Sequence, residues 1–481
     1  MTIRTPLAIL ILLLCSLQQA ESQGNMDSLI DRFFTGRQQF QDTFHAYVDS
    51  INLKFAEYLA KSWEQFTIES PIERPGKPEP PTLPVYVPDD EPAQETIIIQ
   101  PAQTDTVRIE PASQKNDMQT SETAANSNTR LYNFFGTSVA LNPVRGYETR
   151  LTRIDERQVA NYWIQLSKTN YPDFINGLNN NQSVLKLGCW GMYRLILEWA
   201  NVHFTGQQEN EKAVFIVFVL NQAGYKAKLG LVRNSLVVLA SFRNAIYGKS
   251  YIWDGSDRYY ILSEQIINGH ISSYKLNYER AVSHINLNTG LIPNLADHTR
   301  STQRNFRDKV YSFKYNQNLV DYYHTFPQTD LEVYANIPFS AMARESMESE
   351  LANDLKGKSA TEKLKFLLAL IQYGFEYKTD EDQFGYEKYA FAEETLHYPY
   401  SDCEDRAIVF CRMVKIFCGL DTLILDYPTH VAAAVKSNEP GDAIIYNNER
   451  YIVCDPSYIG ASIAKTMKGQ DNSKARIVVV R

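Results

Sequence analysis

The chain has 481 residues, and its 56 acidic side chains outnumber its 48 basic ones, which gives a net charge of −8 at pH 7. That acidity, with no basic run interleaved with aromatic residues, argues against nucleic-acid binding. A hydrophobic fraction of 44% suits a folded chain of two or three domains, and after residue 22 no apolar stretch is long enough to span a bilayer.

The N-terminus has the pattern of a secretory signal peptide. Arg4 precedes the apolar run Leu7–Leu14, and Ala20–Ser22 places small residues before a cleavage point. We therefore expect residues 1–22 to be a cleaved signal peptide and the protein to be exported to the periplasm or cell envelope. An uncleaved anchor is the alternative, and a lipid anchor at Cys15 is disfavoured because a bulky leucine precedes it.

Residues 26–68 are predicted to form an amphipathic helix. Large apolar side chains recur at steps of three, four or seven between Phe33 and Tyr58, so they share one stripe of a helix. We favour a helix that packs on the protein's own body. The alternatives are a coiled coil and an arm that binds a partner in the cell envelope.

Residues 69–129 are predicted to be a linker. Ten of the 20 prolines fall within residues 71–111, and proline cannot donate to a ladder of hydrogen bonds. Residues 112–128 are rich in Ser, Thr, Asn and Gln, a composition that buries no core. We therefore expect a semi-rigid spacer followed by a flexible tether.

The rest of the chain contains two regions in which helices precede strands. Residues 130–300 form the first region, residues 301–340 a β-rich connection, and residues 341–481 the second region. Helices followed by antiparallel strands are the α+β pattern. The predicted helices cover 155–168, 191–203, 210–223, 341–355, 360–373 and 403–418. The predicted strands cover 226–232, 236–242, 250–253, 258–262, 309–316, 331–335, 422–426, 431–436, 443–446, 450–454 and 476–480.

A candidate nucleophile, Cys403, directly follows a helix-opening sequence. Ser401 and Asp402 are capping residues, so Cys403 should lie in the first turn of the helix. There, unpaired backbone N–H groups and the positive end of the helix dipole stabilise a thiolate, which is the nucleophilic form. Cys411 and Cys418 fall in the middle of the same helix, and we expect them in the core.

A histidine and an aspartate follow at strand ends. His430 opens the apolar run Val431–Val435, and Asp455 ends the strand that begins at Arg450. The imidazole can face the start of a packed helix, and the carboxylate can accept the second ring N–H. Thiol, imidazole and carboxylate in this relation are the parts of nucleophilic acyl transfer. Each residue alone is more often structural, and it is the ordered combination that favours a catalytic triad.

The three segments S-D-C-E-D-R-A, Y-P-T-H-V-A-A-A-V and Y-I-V-C-D-P-S resemble the transglutaminase-like superfamily. The resemblance covers about residues 345–470. It implies a papain-like domain in which Cys403 is the nucleophile, His430 the base and Asp455 the group that orients the base. The layout of export signal, aromatic helix, Pro-rich linker and this domain also resembles a group of exported bacterial proteins. Val431 follows the histidine where many members carry Trp, so details of the substrate channel do not transfer.

The residues next to Cys403 lead to two further expectations, about the oxyanion hole and about the neighbouring acids. The backbone N–H of Cys403 is the natural oxyanion-hole donor, and Tyr398–Ser401 is the candidate source of a second one; the alternative is that its tyrosines only pack. Glu404-Asp405 suits a first helical turn, yet acids close to the sulfur oppose ionisation of the thiol. We therefore expect Asp405 or Glu404 to pair with Arg406 or Lys415, and not to take part in catalysis.

The first globular region is a candidate degenerate copy of the second. Glu209–Val214 echoes Cys403–Ile408 at an offset of 194 residues, and strands follow in both regions. In that register Glu209 replaces the nucleophile, Ser235 falls near the histidine and Ser263 near the aspartate. Without a thiol or an imidazole this region cannot run the same chemistry, so we expect it to serve binding or packing.

The cysteines indicate neither a zinc site nor a disulfide scaffold, because the sequence contains no CxxC pair. Gly188-Cys189-Trp190 matches a nucleophile motif known elsewhere in the superfamily, but no histidine and aspartate follow at suitable spacing, so Cys189 is a minor candidate. Signal cleavage leaves an odd number of cysteines, and the sequence leaves their pairing open. They are Cys189, Cys403, Cys411, Cys418 and Cys454.

The sequence therefore predicts an exported cysteine acyl-transfer enzyme of α+β fold that attacks a protein or peptide amide through a thioester on Cys403. Hydrolysis, as in a cysteine protease or amidase, is slightly favoured over transfer to an amine, and the sequence leaves the acceptor open. We expect neither a metal nor an organic cofactor, since the mechanism needs none and no calcium-loop spacing is present. The rival interpretation is a non-catalytic binding or scaffold protein of the cell envelope.

Overall fold

The computed structural model describes residues 46–74, 82–88, 96–99 and 129–481. The chain divides into two units, residues 1–58 and residues 59–481. The predicted signal peptide lies outside the described residues, as does Cys15.

The N-terminal helix ends earlier than predicted. In the first unit, the described residues 46–58 are helical, and helical structure stops at residue 59. The prediction extended the helix to residue 68, but Glu64–Thr67 form a strand in which Phe66 packs against the core of the first sheet. Aromatic residues suit strands as well as helices, so apolar spacing over so few residues did not distinguish the two structures.

The helices and strands of the second unit are numbered along the chain. The helices are α1 (Glu156–Ser167), α2 (Tyr171–Val184), α3 (Gly188–His203), α4 (Glu209–Gln222), α5 (Gln317–Tyr323), α6 (Leu331–Ala335), α7 (Ala341–Leu355), α8 (Ala360–Gly374), α9 (Asp380–Phe384), α10 (Ala392–His397) and α11 (Cys403–Cys418). The strands are β1 (Glu64–Thr67), β2 (Ile97–Ile99), β3 (Arg130–Phe134), β4 (Thr137–Leu141), β5 (Ala227–Val232), β6 (Ser235–Ser241), β7 (Tyr251–Asp254), β8 (Asp257–Ile261), β9 (His270–Ser273), β10 (Thr299–Phe306), β11 (Lys309–Asn316), β12 (Glu376–Tyr377), β13 (Tyr400–Ser401), β14 (Thr422–Tyr427), β15 (His430–Lys436), β16 (Ala443–Tyr446), β17 (Glu449–Cys454) and β18 (Arg476–Val480).

The first sheet has six strands in the order β1-β9-β5-β6-β8-β7, and every neighbouring pair is antiparallel. Helix α4 packs across β5 and β6. Its residues from Ala213 to Gln222 are all buried, so α4 is a core helix and not an amphipathic surface helix.

The second sheet also has six strands, in the order β18-β14-β15-β17-β16-β2. All its neighbouring pairs are antiparallel except β16 and β2. Helix α11 packs across β14 and β15 and ends at Gly419, which adopts the left-handed conformation (φ 66°) that glycine tolerates. The described chain is therefore of the α+β class with antiparallel sheets.

The two sheets share one strand order. In each, a helix leads into two hairpins and a last strand, and the five strands stand in the order fifth, first, second, fourth, third. We call residues 209–273 the first repeat and residues 403–480 the second repeat. Val232 pairs with Ser235 at the end of the first hairpin as Tyr427 pairs with the histidine in the second repeat. This register corresponds to an offset of 195 residues, one more than the sequence comparison gave.

Part of the Pro-rich segment belongs to the second sheet. Ile97–Ile99 run parallel to Ile444–Tyr446, and Val85 forms a bridge with Ile459. The expectation of a linker without ladder bonds does not hold for these residues. The three isoleucines contain no proline, so their N–H groups can pair, and they occupy an edge of the sheet, where flanking prolines are tolerated.

The segment between the repeats differs in part from the prediction. Strand β11 has the predicted bounds and forms a hairpin with β10. Leu331–Ala335 was predicted to be a strand, which is wrong, because it forms the short helix α6. Only Glu332 in this helix escapes burial, and a short apolar run gives no periodicity that separates a strand from a helix.

Candidate active site

Cys403 is the first residue of α11, as predicted. Asp402 caps the helix from an extended conformation (φ −93°, ψ −161°), and its carboxylate accepts the N–H of Asp405 at 3.1 Å. The helix therefore starts where a capping side chain replaces a missing backbone partner. The thiol is almost enclosed, since Cys403 has a relative exposure of 5%.

The sulfur has an acidic neighbour. The thiol of Cys403 donates to Oε2 of Glu404 at 2.8 Å, and Glu404 is itself buried. A carboxylate at this distance opposes loss of the thiol proton, as expected from the sequence. The resting site therefore holds the sulfur against an acid, and ionisation of the thiol requires this hydrogen bond to be given up.

Asp405 belongs to a buried polar network. Its Oδ1 accepts a backbone N–H at 2.9 Å, and burial raises the pKa of its carboxyl to about 7 against the opposing effect of Lys388. The ammonium of Lys388 pairs with Glu394 at 2.5 Å. The expected pairing of the two acids with Arg406 or Lys415 is wrong, because Arg406 is turned towards backbone carbonyls.

The predicted histidine and aspartate lie in contact. His430 opens β15, Asp455 follows β17, and Nε2 of the imidazole lies 2.9 Å from Oδ2 of the carboxylate. Both residues are buried, with exposures of 5% and 1%. The other carboxylate oxygen accepts the N–H of Ser457 at 2.8 Å. A carboxylate only accepts, so Nε2 carries the proton and Nδ1 is the basic nitrogen.

Arg406 links the start of α11 to the end of β17. Its guanidinium is buried and donates to three backbone carbonyls, among them those of Ser401 and Pro456. Ser401 lies two residues before the thiol, and Pro456 directly follows the aspartate. Burial lowers the pKa of Arg406 to about 10, and the charges of Cys403 and Asp455 are among those that oppose this shift. One side chain thus connects the elements that carry the nucleophile and the acid.

A second buried side chain fixes the loop after the aspartate. The amide nitrogen of Gln372, on α8, donates to the carbonyls of Asp455, Tyr458 and Ala461 at 3.0, 2.7 and 3.1 Å. Two amide protons are thereby shared among three acceptors. A helix far away in sequence therefore holds the backbone of Asp455 and of the loop that follows it.

Arg406 and Gln372 were not identified as site residues from the sequence. Arg406 stands inside the segment that carries the cysteine, so its position was visible but its acceptors were not. Gln372 follows the apolar run Phe366–Ile371 and gives no signal beyond being polar next to a buried helical face. Both act through contacts to distant backbone, which local pattern does not reveal.

Two side chains of the segment considered for a second oxyanion-hole donor, Tyr398 and Ser401, are engaged elsewhere. The hydroxyl of Tyr398 lies 2.8 Å from Nε2 of His324 and 3.4 Å from Glu394. Ser401 belongs to β13, which pairs in parallel with β12, and its hydroxyl donates to the carbonyl of Glu376 at 3.5 Å. Tyr398 is therefore part of a cluster of histidine and glutamate side chains and is not assigned to an oxyanion hole.

Cys189 has no base near it on its own helix. It is half-buried in the first turn of α3, and His203 ends the same helix, about 21 Å further along the axis. The ring nitrogens of His203 lie 3.0 and 2.9 Å from the hydroxyls of Tyr132 and Tyr147. This histidine is held by tyrosines, so the helix of Cys189 does not provide the parts of a catalytic pair.

No disulfide joins the cysteines within the described part of the chain. Cys411 is buried as expected, whereas Cys418 is only half-buried. Burial raises the pKa of Cys411 to about 12 and that of Cys418 to about 11. Burial also raises the pKa of Cys454. These three thiols are therefore not ionised near neutral pH and compete little for alkylating reagents.

The first repeat carries neither a thiol nor an imidazole at the corresponding places. With the offset of 195, Gln208 takes the position of the nucleophile, next to the Glu209 expected from the sequence. Ser235 occupies the place of the histidine in the matching hairpin. Ile261 in β8 corresponds to Val453 in β17, because their ladder partners Leu239 and Ala434 correspond. Ser263 and Asp455 each follow two residues later, so Ser263 stands at the place of the aspartate. Neither side chain of the serines can replace imidazole or carboxylate in acyl transfer.

Comparison with known proteins identifies no relative. No family model matches the chain, and no curated protein and no solved structure matches it. Across residues 46–74, 82–88, 96–99 and 129–481, no three His, Cys, Asp or Glu side chains are grouped so as to hold a metal ion. In the same part of the chain no helix is both long and apolar enough to cross a bilayer.

Proposed function

We propose that the protein is a cysteine acyl-transfer enzyme, with the papain-like arrangement of the transglutaminase-like superfamily, in which Cys403 attacks an amide. The observation that carries the proposal is the buried contact of 2.9 Å between His430 and Asp455. This contact joins the start of β15 to the end of β17, in the sheet on which α11 packs. Cys403 is the first residue of α11. Arg406 connects the start of α11 to the residues that follow β17.

The proposed mechanism begins with a proton transfer. Nδ1 of His430 takes the thiol proton of Cys403, and the thiolate attacks the carbonyl carbon of the amide. Asp455 keeps the imidazole in the correct tautomer and stabilises the imidazolium. The imidazolium then protonates the leaving amine, which leaves the acyl group on the sulfur as a thioester. Water, activated by the same imidazole, releases the acid and restores the thiol.

The acceptor decides between two activities. With water the enzyme is a peptidase or amidase, and with an amine it is a transglutaminase. Hydrolysis is our slight preference, and the substrate is a protein or peptide amide met outside the cytoplasm, in keeping with the predicted signal peptide.

A cavity of about 320 Å³ next to the hairpin of His430 suits entry of a substrate. Tyr427 and Pro428 of this hairpin line it, together with Tyr389. Burial raises the pKa of the Tyr389 hydroxyl, and a negative charge on Cys403 would raise it further. The cavity therefore borders the turn that leads into His430.

Alkylation of the full chain with iodoacetamide at pH 7, followed by peptide mapping, tests the proposal. We expect Cys403 to be modified first, with labelling lost in Cys403→Ala and retained in the matched variant Cys189→Ala. Equal labelling of Cys403 and Cys189, or no labelling of Cys403 in the folded protein, contradicts the proposal.

A non-catalytic scaffold is the second candidate function. It is favoured by the enclosure of the sulfur, at 5% exposure, and by its hydrogen bond to Glu404. A scaffold needs no reactive thiol, so it predicts the second outcome of the alkylation experiment. The same measurement therefore separates the two functions.

A further inference from the structure

The two repeats carry an arginine at the same ladder position. Arg258 stands opposite Trp253 in the first repeat, and Arg450 stands opposite Ile445 in the second. Each is the second residue of its strand, directly after a tight hairpin. Because the backbone position is shared, the difference in surroundings shows what each repeat does with the same side chain.

In the second repeat the arginine braces the backbone. The guanidinium of Arg450 donates to the carbonyls of Ser437, Glu439 and Gly441 at 3.1, 2.6 and 3.0 Å. All three carbonyls belong to residues 437–442, which connect β15 to β16. The connection wraps around the side chain and uses its donors, so this arginine has a structural role.

In the first repeat the corresponding connection, residues 242–250, is three residues longer than its counterpart. Arg258 lies over the rings of Trp253 and Tyr251, 4.8 and 5.8 Å from their centroids. Within the part of the chain that the structure describes, no carbonyl or carboxylate accepts a hydrogen bond from its guanidinium. The longer connection therefore accepts no hydrogen bond from this arginine, and its donors remain open to another acceptor.

Arg258 lines a cavity of about 420 Å³, together with Arg243, Trp253 and Tyr260 among others. Tyr260 is fully buried, and its hydroxyl has no hydrogen-bond partner among the described residues. In the second repeat the corresponding residue is Ile452, which has no polar atom to satisfy. A buried hydroxyl without a partner is costly, and a bound acceptor would remove that cost.

The charge around the cavity is positive, although the whole chain carries −8. Arg243 and Arg258 have no ion pair among the described residues. Asp257 also lines the cavity, but Lys226 neutralises it at 2.7 Å. Burial and then the charge of Lys226 lower the pKa of His284, so its imidazole is neutral at pH 7. Two cationic side chains therefore remain uncompensated.

The neighbouring Ser241, His284 and Asp257 do not form a hydrolytic triad. Oγ of Ser241 lies 2.9 Å from Nδ1 of His284, but Nε2 lies 3.4 Å from the ammonium of Lys226 and 3.9 Å from Asp257. An ammonium only donates, so Nε2 is the acceptor and the ring proton sits on Nδ1. The histidine then donates to the serine and cannot take its proton. This cluster supports the cavity wall and performs no chemistry.

We propose that the cavity of the first repeat binds an oxyanion, the carboxylate or phosphate group of a ligand, through Arg243, Arg258 and the hydroxyl of Tyr260. Arginine is suited to such groups because its planar fork matches two oxygens at once. Trp253 is 43% exposed and lines the same cavity, so its side chain can contact a ring attached to the oxyanion. The first repeat thereby serves ligand binding, and this inference does not depend on chemistry at Cys403.

Fluorine NMR of the full chain labelled with 5-fluorotryptophan tests the inference. The chain has five tryptophans, and Trp253→Phe assigns the resonance of interest. Benzoate and phenyl phosphate are titrated as probes, with benzyl alcohol as the neutral match. We expect a saturable shift of the Trp253 resonance with at least one oxyanion and none with benzyl alcohol. The tighter of the two oxyanions identifies carboxylate or phosphate as the preferred group.

Variants make the result specific. Arg258→Gln should weaken binding by about tenfold or more, because it removes a charge-assisted pair. Arg233→Gln, in the β5–β6 turn of the same sheet, should leave the affinity within about twofold. If Arg258→Gln disturbs the other tryptophan resonances, Arg243→Gln replaces it and must weaken binding. An equal response to benzyl alcohol, no saturable shift, or equal affinity in the arginine variants and Arg233→Gln overturns the inference.

Discussion

The two repeats have the same strand order but differ at both ends of their sheets. At the end where the helix starts, the second repeat carries Cys403, together with His430 and Asp455, which contact each other. The first repeat carries Gln208 and serines at the corresponding places. At the opposite end, the second repeat uses Arg450 to brace its backbone, and the first opens a charged cavity. Ladder pairing and the packed helix depend on the middle of each strand. The ends are therefore free to differ, and both proposed sites lie there.

The largest expected effect concerns the buried arginine of the second repeat. Arg406→Met leaves three carbonyls without their donor and removes the positive charge near Asp402 and Asp455, which should lower the free energy of unfolding by about 3–5 kcal/mol. At the corresponding place the first repeat has Glu211, which accepts the N–H of Leu151 at 2.7 Å. Glu211→Gln keeps an acceptor and should cost less than about 1 kcal/mol. Equal losses in urea unfolding would show that the buried arginine has no special role.

The pH dependence of stability depends on Asp405. Burial raises the pKa of this carboxyl to about 7, so the folded protein retains a proton that the unfolded chain releases above about pH 4. Folding is therefore penalised increasingly as the pH rises from about 4 to 7. Asp405→Asn should remove the penalty, and its stability relative to the wild type should grow by about 1–3 kcal/mol between pH 4.5 and 8.

The first repeat provides the control for this titration. It carries Asn210 at the corresponding place, and the amide oxygen of Asn210 accepts the N–H of Leu236 at 2.7 Å. Asn210→Ser removes no ionisable group, so any stability change that it causes should be the same at both pH values. A constant difference between Asp405→Asn and the wild type over this range would mean that Asp405 titrates normally.

The acid of the proposed triad should affect the reactivity of the thiol. Asp455→Ala removes the group that stabilises the imidazolium, so the rate of Cys403 alkylation by iodoacetamide at pH 7 should fall by about tenfold or more. Ser263→Ala, at the matched place in the first repeat, should leave the rate unchanged. A normal rate in Asp455→Ala would separate the histidine–aspartate contact from the sulfur.

The smallest effect distinguishes the two matched arginines. Arg450→Ala frees three carbonyls of the β15–β16 connection and should cost about 1–2 kcal/mol of unfolding free energy. Arg258→Ala breaks no hydrogen bond and should remain within about 0.5 kcal/mol of the wild type. Urea unfolding of both variants checks this order. A larger loss in Arg258→Ala would assign a structural role to the arginine of the cavity.

The elements that the sequence predicted well have strong local end signals. Helix α7 begins after the capping Ser340, and α11 ends before Gly419; both have the predicted bounds. The helix Tyr171–Val184 was missed because its run of asparagines masks the apolar spacing. Strand β2 was missed because an edge strand next to prolines depends on its partner, Ala443–Tyr446, and not on its own pattern.

For the candidate site, the sequence predicted the residues but not what holds them. Cys403 and His430 have a local signature, a capped helix start and a strand end, and the structure has both. The donors Arg406 and Gln372 act on backbone up to 89 residues away, and no local pattern specifies such acceptors. The cavity of the first repeat is lined in part by its longer β6–β7 connection, and a single sequence does not show how that connection packs.

The central claim is that the imidazole of His430 makes the sulfur of Cys403 reactive. The rate of iodoacetamide alkylation at Cys403, measured from pH 5 to 10 in the wild type and in His430→Ala, tests it most directly. We predict that at pH 6 the wild type reacts about tenfold or more faster than the variant, because the base forms a thiolate well below the ordinary thiol pKa of about 8.5. Two coinciding profiles that both rise only above about pH 8 would contradict the claim.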